Sequence, residues 1–484
     1  MRGIWPRLAA MHINTVLTPV SWEQLEPKEG QFDFTLVDGL ITDARQNHLH
    51  LVLLWFGTWK NMVSSYAPEW VRSDPRRFPL VVDASGNRLP IPSTFSAAGQ
   101  EADARAFSAL MKHLREVDGK EQTVIMVQVE NEVGVPDDRD RSDVANQAYT
   151  GPVPAELMDY LLKHQDELTA ELKAVWSAAG SKTSGSWEEV FGAGPATAEI
   201  FMAWNYVRYI NGVVADGKAA YPLPLYVNAA IGRKSGALGS YPVGGALPLG
   251  MNIWQIAAPR IDIFSPDIYY GNFSDWCKAY SQSGNPLFIP ETRGGETGAA
   301  NALLAIGGHG AIGFSPFGID VGNQPELAEV YGCLEQLSPI ILAHQTDGSM
   351  NAALLDTNNP TQTLELGGYT LNVTLRHEHN STQIADHGYV LVIAEQADRF
   401  IVVGKDVQIT FTANGATPTV VELGKVEEGT FVKNGWVPGR RLNGDEIMLS
   451  YDLSALAAEN QTGTGLSLVP DHMTILRVDV FRRN

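Results

Sequence analysis

Cysteine is almost absent from this chain of 484 residues, which contains only Cys277 and Cys333. Two cysteines are too few for a disulfide framework, and neither lies in a paired C-x-x-C motif, so both are predicted to be buried free thiols. Basic residues are scarce as well, since 35 lysines and arginines stand against 55 acidic residues, for a formal charge of -20. That balance excludes a nucleic-acid partner, because binding nucleic acid needs a basic face.

Long apolar runs are also missing. No stretch of about 18 apolar residues occurs, so no membrane partner is expected, and the N-terminus lacks the charged-then-apolar pattern of a signal peptide. With 44% hydrophobic residues the chain can still bury a large core, and its length predicts two or three domains. The sequence therefore describes an acidic globular protein, and it leaves homo-oligomer formation open.

Short apolar runs alternate with amphipathic stretches up to about residue 345. Strands are predicted at 12–18, 50–56, 123–129, 223–228, 261–267, 287–290 and 311–316, and helices at 34–47, 102–117, 155–179, 196–215 and 324–343. Such alternation predicts a parallel sheet with helices outside it, and the length favours a (β/α)8 (TIM) barrel over a doubly wound sheet. We therefore expect a catalytic β/α barrel over residues 1–345.

The pattern changes after about residue 345 to short alternating strands. They are predicted at 363–366, 370–375, 388–395, 400–403, 407–412, 419–424 and 474–481, with turn residues between them. Short strands separated by turns are typical of a β-sandwich. Residues 346–484 are accordingly predicted to form an all-β sandwich domain.

Two of the predicted barrel strands end in glutamate. The run 127–134 contains Glu130 and Glu132, which are separated by Asn131, and the strand 287–290 is followed directly by Glu291. Hydrolysis of a glycosidic bond needs one carboxylic acid to protonate the leaving oxygen and one carboxylate to attack, with no metal and no cofactor. Because active sites of barrels lie at strand ends, the sequence predicts a glycosidase with catalytic Glu132 and Glu291. Glu130 lies deeper and is predicted to be structural.

Four other residues are candidates for the substrate site. Tyr269 ends the segment 265–269 and could donate a hydrogen bond to the Glu291 carboxylate. Trp55 follows an apolar strand and is a candidate for stacking on a sugar ring, with burial in the core as the alternative. Asn228 could reach the sugar or cap a turn, and Glu26 could line the mouth of the barrel or stabilise its own loop by a salt bridge.

Residues 12–16, 22–34, 128–134 and 290–291 resemble the β-galactosidases of glycoside hydrolase family 35, in a clan of retaining glycosidases built on β/α barrels. The resemblance covers most of the first 340 residues, and its specific part is the pair Asn131-Glu132. It implies that Glu132 is the acid/base, that Glu291 is the nucleophile and that Asn131 contacts the sugar 2-hydroxyl. The C-terminal strands resemble, more loosely, a β-rich domain of one bacterial branch of that family.

The count of strands departs from the clan pattern. The resemblance places the acid/base at the end of the fourth strand and the nucleophile at the end of the seventh, whereas Glu132 and Glu291 end the third and sixth visible strands. Met1 falls inside a helix predicted at 2–11, so the first barrel strand is expected to be absent, through a wrongly assigned gene start or a fragment. Localisation stays open: periplasmic or secreted if a signal segment is missing upstream, otherwise cytoplasmic.

The resemblance implies a retaining exo-β-galactosidase that hydrolyses terminal β-galactosyl residues of oligosaccharides or plant polysaccharide side chains by double displacement. A β-galactoside substrate is then the expected partner. Two alternatives remain open. One is another retaining β-glycosidase of the clan, a β-glucosidase or an arabinosidase, and the other is a catalytically silent carbohydrate-binding protein.

Overall fold

The computed structural model describes residues 3–231, 241–282, 284–377, 384–415, 420–433, 435–447, 465–468 and 473–483. The chain divides into two compact units, which we call the first unit (residues 1–9 and 14–292) and the second unit (residues 10–13 and 293–484). This division follows Thr292, whereas the change of sequence pattern suggested a boundary near residue 345. The domain boundary at 345 stays a prediction.

The first unit contains a parallel sheet and one hairpin. Its strands are β1 (Thr15–Ser21), β2 (His50–Lys60), β3 (Leu80–Val82), β4 (Arg88–Pro92), β5 (Val124–Asn131), β6 (Leu225–Ala230), β7 (Ile263–Ile268) and β8 (Phe288–Thr292). Strands β3 and β4 pair with each other, and the others lie side by side in the order β1-β2-β5-β6-β7-β8. Every adjacent pair of these six is parallel.

Helices connect the parallel strands, as the alternating pattern predicted. They are α1 (Trp5–Ala10), α2 (Trp22–Leu25), α3 (Thr35–Gln46), α4 (Glu69–Arg72), α5 (Ala97–Asp118), α6 (Asp143–Thr150), α7 (Ala155–Lys163), α8 (Ala170–Ala178), α9 (Trp187–Phe191), α10 (Pro195–Ala220), α11 (Met251–Ala257) and α12 (Phe273–Tyr280). Parallel strands taken in chain order with intervening helices are the topology of a β/α barrel. The predicted fold class is confirmed.

The sheet is open at β1. Among the described residues β1 pairs with β2 alone, in a register that joins Thr15 to His50. The inner face of the sheet carries an apolar cluster in which Tyr226 packs edge-on against Phe288, with ring centroids 5.1 Å apart. The residues of this cluster lie on the same strands that carry the polar residues at their carboxyl ends.

The second unit begins with helices and ends in two antiparallel sheets. Its elements are α13 (Gly295–Leu303), a π-helical turn (Leu304–Gly308), β9 (Gly313–Pro316), α14 (Pro325–His344), β10 (Met350–Asp356), β11 (Thr361–Leu366), β12 (Tyr369–Leu375), β13 (His387–Gln396), β14 (Arg399–Lys405), β15 (Val407–Ala413), β16 (Val420–Val432), β17 (Gly435–Leu442), a 3-10 turn (Gly444–Ile447), β18 (Leu466–Ser467) and β19 (Ile475–Arg483). The sheets have the orders β10-β13-β14-β19-β16-β17 and β11-β12-β15-β18. One apolar core draws side chains from both sheets, which is the construction of a β-sandwich.

Cys277 and Cys333 are both buried free thiols, as predicted. Within the described ranges, no helix is both long enough and apolar enough to cross a membrane.

Candidate active site

The carboxyl ends of three strands bring three carboxyl groups together. Glu132 follows β5, Asp267 lies near the end of β7, and Glu291 lies in β8. One oxygen from each of these groups lies within 4.8 Å of the others. Two strands separate β5 from β8, which in a flat sheet would place them about 14 Å apart, so the sheet must curl to bring these ends together.

The backbone of Glu132 is positioned by a hydrogen bond to the Asn228 side chain. The backbone N–H of Glu132 donates to Asn228 Oδ1 at 2.9 Å, and Asn228 Nδ2 donates to Asp267 Oδ2 at 2.7 Å. Burial raises the pKa of the Glu132 carboxyl, while its hydrogen bond with Asp267 and the charge of Lys60 act in the opposite direction. A carboxyl group with a raised pKa is suited to act as a general acid.

Glu291 has a different set of neighbours. The hydroxyl of Tyr269 donates to Glu291 Oε2 at 2.7 Å, so the contact expected from the sequence is present. Burial raises the pKa of Glu291, and the charge of Glu132 raises it further, whereas the Tyr269 hydrogen bond and the charge of Lys60 lower it. The Tyr269 donor and the Lys60 cation therefore favour the charged carboxylate that a nucleophile requires.

The wall beside these carboxylates is formed where β2 ends. Lys60 Nζ donates to Asn61 Oδ1 at 3.0 Å, and Asn61 Oδ1 also accepts from Asn131 Nδ2 at 2.8 Å. The other amide atom, Asn131 Oδ1, accepts from Gln128 Nε2 at 2.9 Å. Asn131 thus lies at the site but is buried and tied to protein groups, and its contact with a sugar hydroxyl stays a prediction.

A cavity of about 460 Å³ opens in front of the carboxylates. The residues that line it are Asn61, Met62, Glu132, Ala230, Ile231, Tyr241, Pro242, Asp267, Tyr269 and Tyr270. Its size lies within the range of small-molecule binding sites, and its aromatic and polar lining is typical of them.

The backbone around the site is strained. Glu130 and Glu132 have φ angles of 64° and 46°, and Asn61 and Met62 have φ angles of 52° and 62°. Left-handed conformations are uncommon for residues other than glycine, and they cluster at functional sites where surrounding contacts maintain them. Four such residues occur in the two segments that flank the cavity.

Glu130 points away from the cavity and into a buried carboxyl pair. Its oxygens accept the backbone N–H groups of Thr58 at 3.1 Å and Trp59 at 2.7 Å, and its carboxyl group lies against that of Asp103. Burial, followed by the charge of Asp103, holds the pKa of Glu130 well above its usual range. These contacts agree with the structural role predicted for Glu130, because they fasten the end of β2 to the end of β5.

Two of the predicted substrate contacts are corrected by the structure. Trp55 is 0% exposed, packs on Phe107 of α5 and donates from Nε1 to Asp103 at 2.9 Å, so it has no ring face to offer a sugar. Glu26 is also buried, and it accepts from Trp22 Nε1 and from the backbone N–H of Gly30, both at 2.7 Å. It stabilises its own loop, through hydrogen bonds rather than the salt bridge considered from the sequence.

The sequence allowed two roles for Asn228, a contact with the sugar or the capping of a turn, and the structure shows a third. Both ends of its amide bind protein groups, and it is 1% exposed. It therefore positions Glu132, and its contact with a sugar stays a prediction. Sequence reasoning missed Lys60 and Asp267. Asp267 ends the predicted strand 261–267, where a polar residue is the available signal, whereas Lys60 lies beyond the predicted strand 50–56, because β2 continues to Lys60 in the structure.

The three carboxyl groups of Glu132, Asp267 and Glu291 are also the one set, within the described part of the chain, whose oxygen atoms converge enough to surround a metal ion. The expectation that the reaction uses no metal and no cofactor stays a prediction.

Comparison with known families adds two matches. The sequence profile of glycoside hydrolase family 42, described as "Beta-galactosidase", matches residues 4–211, and a profile described as "Domain of unknown function (DUF5597)" matches residues 327–453. The matching profile is that of family 42 and not of family 35, so the family expected from the motifs is corrected. The match shows that residues 4–211 are similar to the family described as "Beta-galactosidase". No curated protein matches the chain.

Several solved structures are similar to this chain. The β-galactosidase of the psychrophilic Marinomonas ef1 is 15% identical over 70% of this chain and 58% of that chain, with a TM-score of 0.48. The β-galactosidase of Bacillus circulans sp. alkalophilus is 17% identical over 72% of this chain and 55% of that chain, with a TM-score of 0.48. The chain spans little more than half the length of these two proteins, and at this level of likeness the match carries no argument about activity.

Proposed function

We propose that this chain is a retaining exo-β-galactosidase that removes terminal β-galactosyl residues from oligosaccharides or plant polysaccharide side chains. The observation that carries the proposal is the approach of the Glu132 and Glu291 carboxyl oxygens to within 4.8 Å at the mouth of a cavity. Retaining glycosidases hold their two carboxyl groups about 5–5.5 Å apart, whereas inverting enzymes leave a gap of about 6.5–9.5 Å for a water molecule. The specificity for galactose rests on the family 42 profile.

In the first step, Glu291 attacks the anomeric carbon while Glu132 protonates the departing glycosidic oxygen. The hydroxyl of Tyr269 holds the Glu291 carboxylate in place, at 2.7 Å from Oε2. In the second step Glu132, now charged, takes a proton from water, and the hydroxide oxygen displaces Glu291 from the anomeric carbon. The nearby Lys60 charge limits the cost of placing so many carboxyl groups together.

The first test measures nitrophenol release from 4-nitrophenyl β-galactoside, β-glucoside and α-arabinoside. We expect the galactoside to have the highest kcat/KM, and we expect Glu291→Gln to reduce it by about 10⁴-fold or more. Glu156→Gln, an exposed glutamate on α7, is the control and should not change it. Higher kcat/KM on the glucoside or arabinoside would contradict the sugar assignment. Sugar binding without turnover of any substrate would identify a silent carbohydrate-binding protein.

The two carboxyl roles are separated with azide. In Glu291→Ala, azide takes the place of the nucleophile and should give α-galactosyl azide. In Glu132→Ala, it should attack the galactosyl-enzyme from the opposite face and give β-galactosyl azide, because 4-nitrophenolate leaves without an acid catalyst. The reverse pairing of products and variants would exchange the two assignments.

A further inference from the structure

Asp267 is a third carboxyl group in the site, and the reaction proposed above does not require it. It lies near the end of β7 and is 2% exposed. The parallel register places it beside Glu291 on one side and beside Ala230 on the other. A buried carboxyl group between the two proposed catalytic glutamates needs a physical explanation, because burying a charge without a partner is costly.

The two oxygens of Asp267 have different partners. Oδ2 accepts from Asn228 Nδ2 at 2.7 Å. Oδ1 is buried and has no donor among the described residues, and one oxygen of Asp267 lies within 4.8 Å of one oxygen of Glu132. Two buried carboxyl groups this close are stable together when one of them holds a proton that it can donate to the other, because two charged carboxylates repel each other.

The surroundings of the two carboxyl groups indicate whether Asp267 or Glu132 holds the proton. Glu132 and Asp267 both border the cavity, but Asp267 is the more deeply buried of the two. Glu132 faces the Lys60 charge, whereas Asn228 is the one hydrogen-bond donor to Asp267 among the described residues. Burial, and then the charges of Glu291 and Glu132, hold the pKa of Asp267 well above its usual range. The titratable groups that face Asp267 are Glu132, Glu291, Tyr226, Tyr269 and Tyr280.

We propose that Asp267 is a positioning residue: a neutral carboxylic acid that donates its O–H to Glu132 and, through Asn228, fixes the backbone of Glu132. This inference rests on the proposed function, in which Glu132 alternates between a protonated acid and a charged base. A neutral donor beside Glu132 stabilises its charged form and so prevents burial from making the acid too weak to release its proton.

Two variants distinguish a neutral Asp267 from a charged one. Asp267→Asn keeps an acceptor for Asn228 and a donor for Glu132, so it imitates the protonated acid, while Asp267→Val removes both. The alkaline limb of the kcat/KM profile reports the pKa of the acid Glu132. We expect that limb to move by less than about half a pH unit in Asp267→Asn, because loss of a neighbouring charge would instead lower the pKa by about 1–3 units.

In Asp267→Val the alkaline limb should move to higher pH, since the charged form of Glu132 loses a donor. Movement of the limb to lower pH in either variant would show that Asp267 is charged, and would overturn the proposal. If Asp267→Val does not fold, Asp267→Asn alone decides between the two states.

A second measurement does not depend on activity. If Asp267 is protonated in the folded protein and charged in the unfolded chain, folding takes up a proton above about pH 4. The wild type should then lose stability relative to Asp267→Asn as the pH rises, so the Tm of Asp267→Asn should gain steadily on the wild type between pH 5 and pH 8. Asp159→Asn, an exposed aspartate on α7, is the control and should show a constant difference.

A constant Tm difference for Asp267→Asn would overturn the proposal even if the enzyme is active. Absence of turnover in the wild type would instead refute the proposed function, and the Tm measurement would still report the proton on Asp267. The two failures are therefore distinguishable.

Discussion

Gly57 lies where the buried carboxyl pair of Asp103 and Glu130 leaves no room for a side chain. A Cβ at this position would lie 2.5 Å from Trp55 Nε1, 2.7 Å from Glu130 Oε1 and 2.9 Å from Asp103 Oδ1. None of these atoms can move freely, because Trp55 Nε1 donates to Asp103 at 2.9 Å and Glu130 accepts two backbone N–H groups. Substitution Gly57→Ala must therefore displace at least one buried hydrogen-bonding group.

The cost follows from two terms. Forcing a methyl group into a filled interior costs about 1–3 kcal/mol, and leaving one buried polar group without its partner costs about 1–3 kcal/mol more. The free energy of unfolding should therefore fall by about 2–6 kcal/mol, which for a unit of this size corresponds to a Tm lower by about 10 °C. Activity should fall as well, since the same β2 end leads to Lys60 at the site.

Thermal unfolding followed by tryptophan fluorescence measures this effect, because Trp55 and Trp59 lie beside Gly57. The matched control is Gly39→Ala in the exposed middle of α3, where a Cβ meets nothing within 4 Å. That control should be neutral or stabilising by about 1 kcal/mol, through its higher helix propensity. A Gly57→Ala protein that melts within 2 °C of the Gly39→Ala protein would refute the steric reasoning.

Three further substitutions test the other assignments. Trp55→Phe should lower the free energy of unfolding by about 1–3 kcal/mol in a denaturant titration, because Asp103 loses a buried donor, and it should change KM little. A large rise in KM would instead support the sugar contact predicted for Trp55 from the sequence. Tyr269→Phe should raise the pKa of Glu291 by removing the donor, so the acid limb of kcat/KM should move to higher pH and kcat/KM should fall by about 10-fold or more. Glu26→Gln should lower Tm and leave kcat/KM within a few-fold of wild type, whereas a selective loss of kcat/KM would place Glu26 in the substrate site.

Much of the fold could be predicted from local sequence patterns. The apolar runs gave the positions of β2, β5, β6, β7 and β8 to within a few residues, because buried parallel strands read as continuous apolar segments. The helix predicted over 155–179 is instead two helices, α7 and α8. The second begins after Thr169, whose N–H donates to Asn252 Oδ1 at 2.7 Å. No local pattern signals a contact between residues so distant in the chain.

The site was predictable only in part, for a related reason. Glu132 and Glu291 stand out because each ends an apolar strand, but the roles of Lys60 and Asp267 depend on the curl of the sheet, which no single strand encodes. Trp55 was misplaced because β2 is apolar on both faces, so its sequence does not show which residues face inward. In the structure, Trp55 turns towards α5 and away from the cavity.

The end of β5 shows how one short motif serves two purposes. Strict alternation would turn Glu130 and Glu132 to the same face, yet the left-handed φ of Glu130 breaks that alternation and sends its carboxyl group into the buried pair with Asp103. Glu130 is then fixed by the backbone of Thr58, while the backbone N–H of Glu132 is fixed by Asn228. Because strained conformations persist only where surrounding contacts maintain them, the contacts of Glu130 and the contact of Glu132 with Asn228 together hold Glu132 at the cavity. The stability of the strand end and the position of the proposed acid are therefore set by the same contacts.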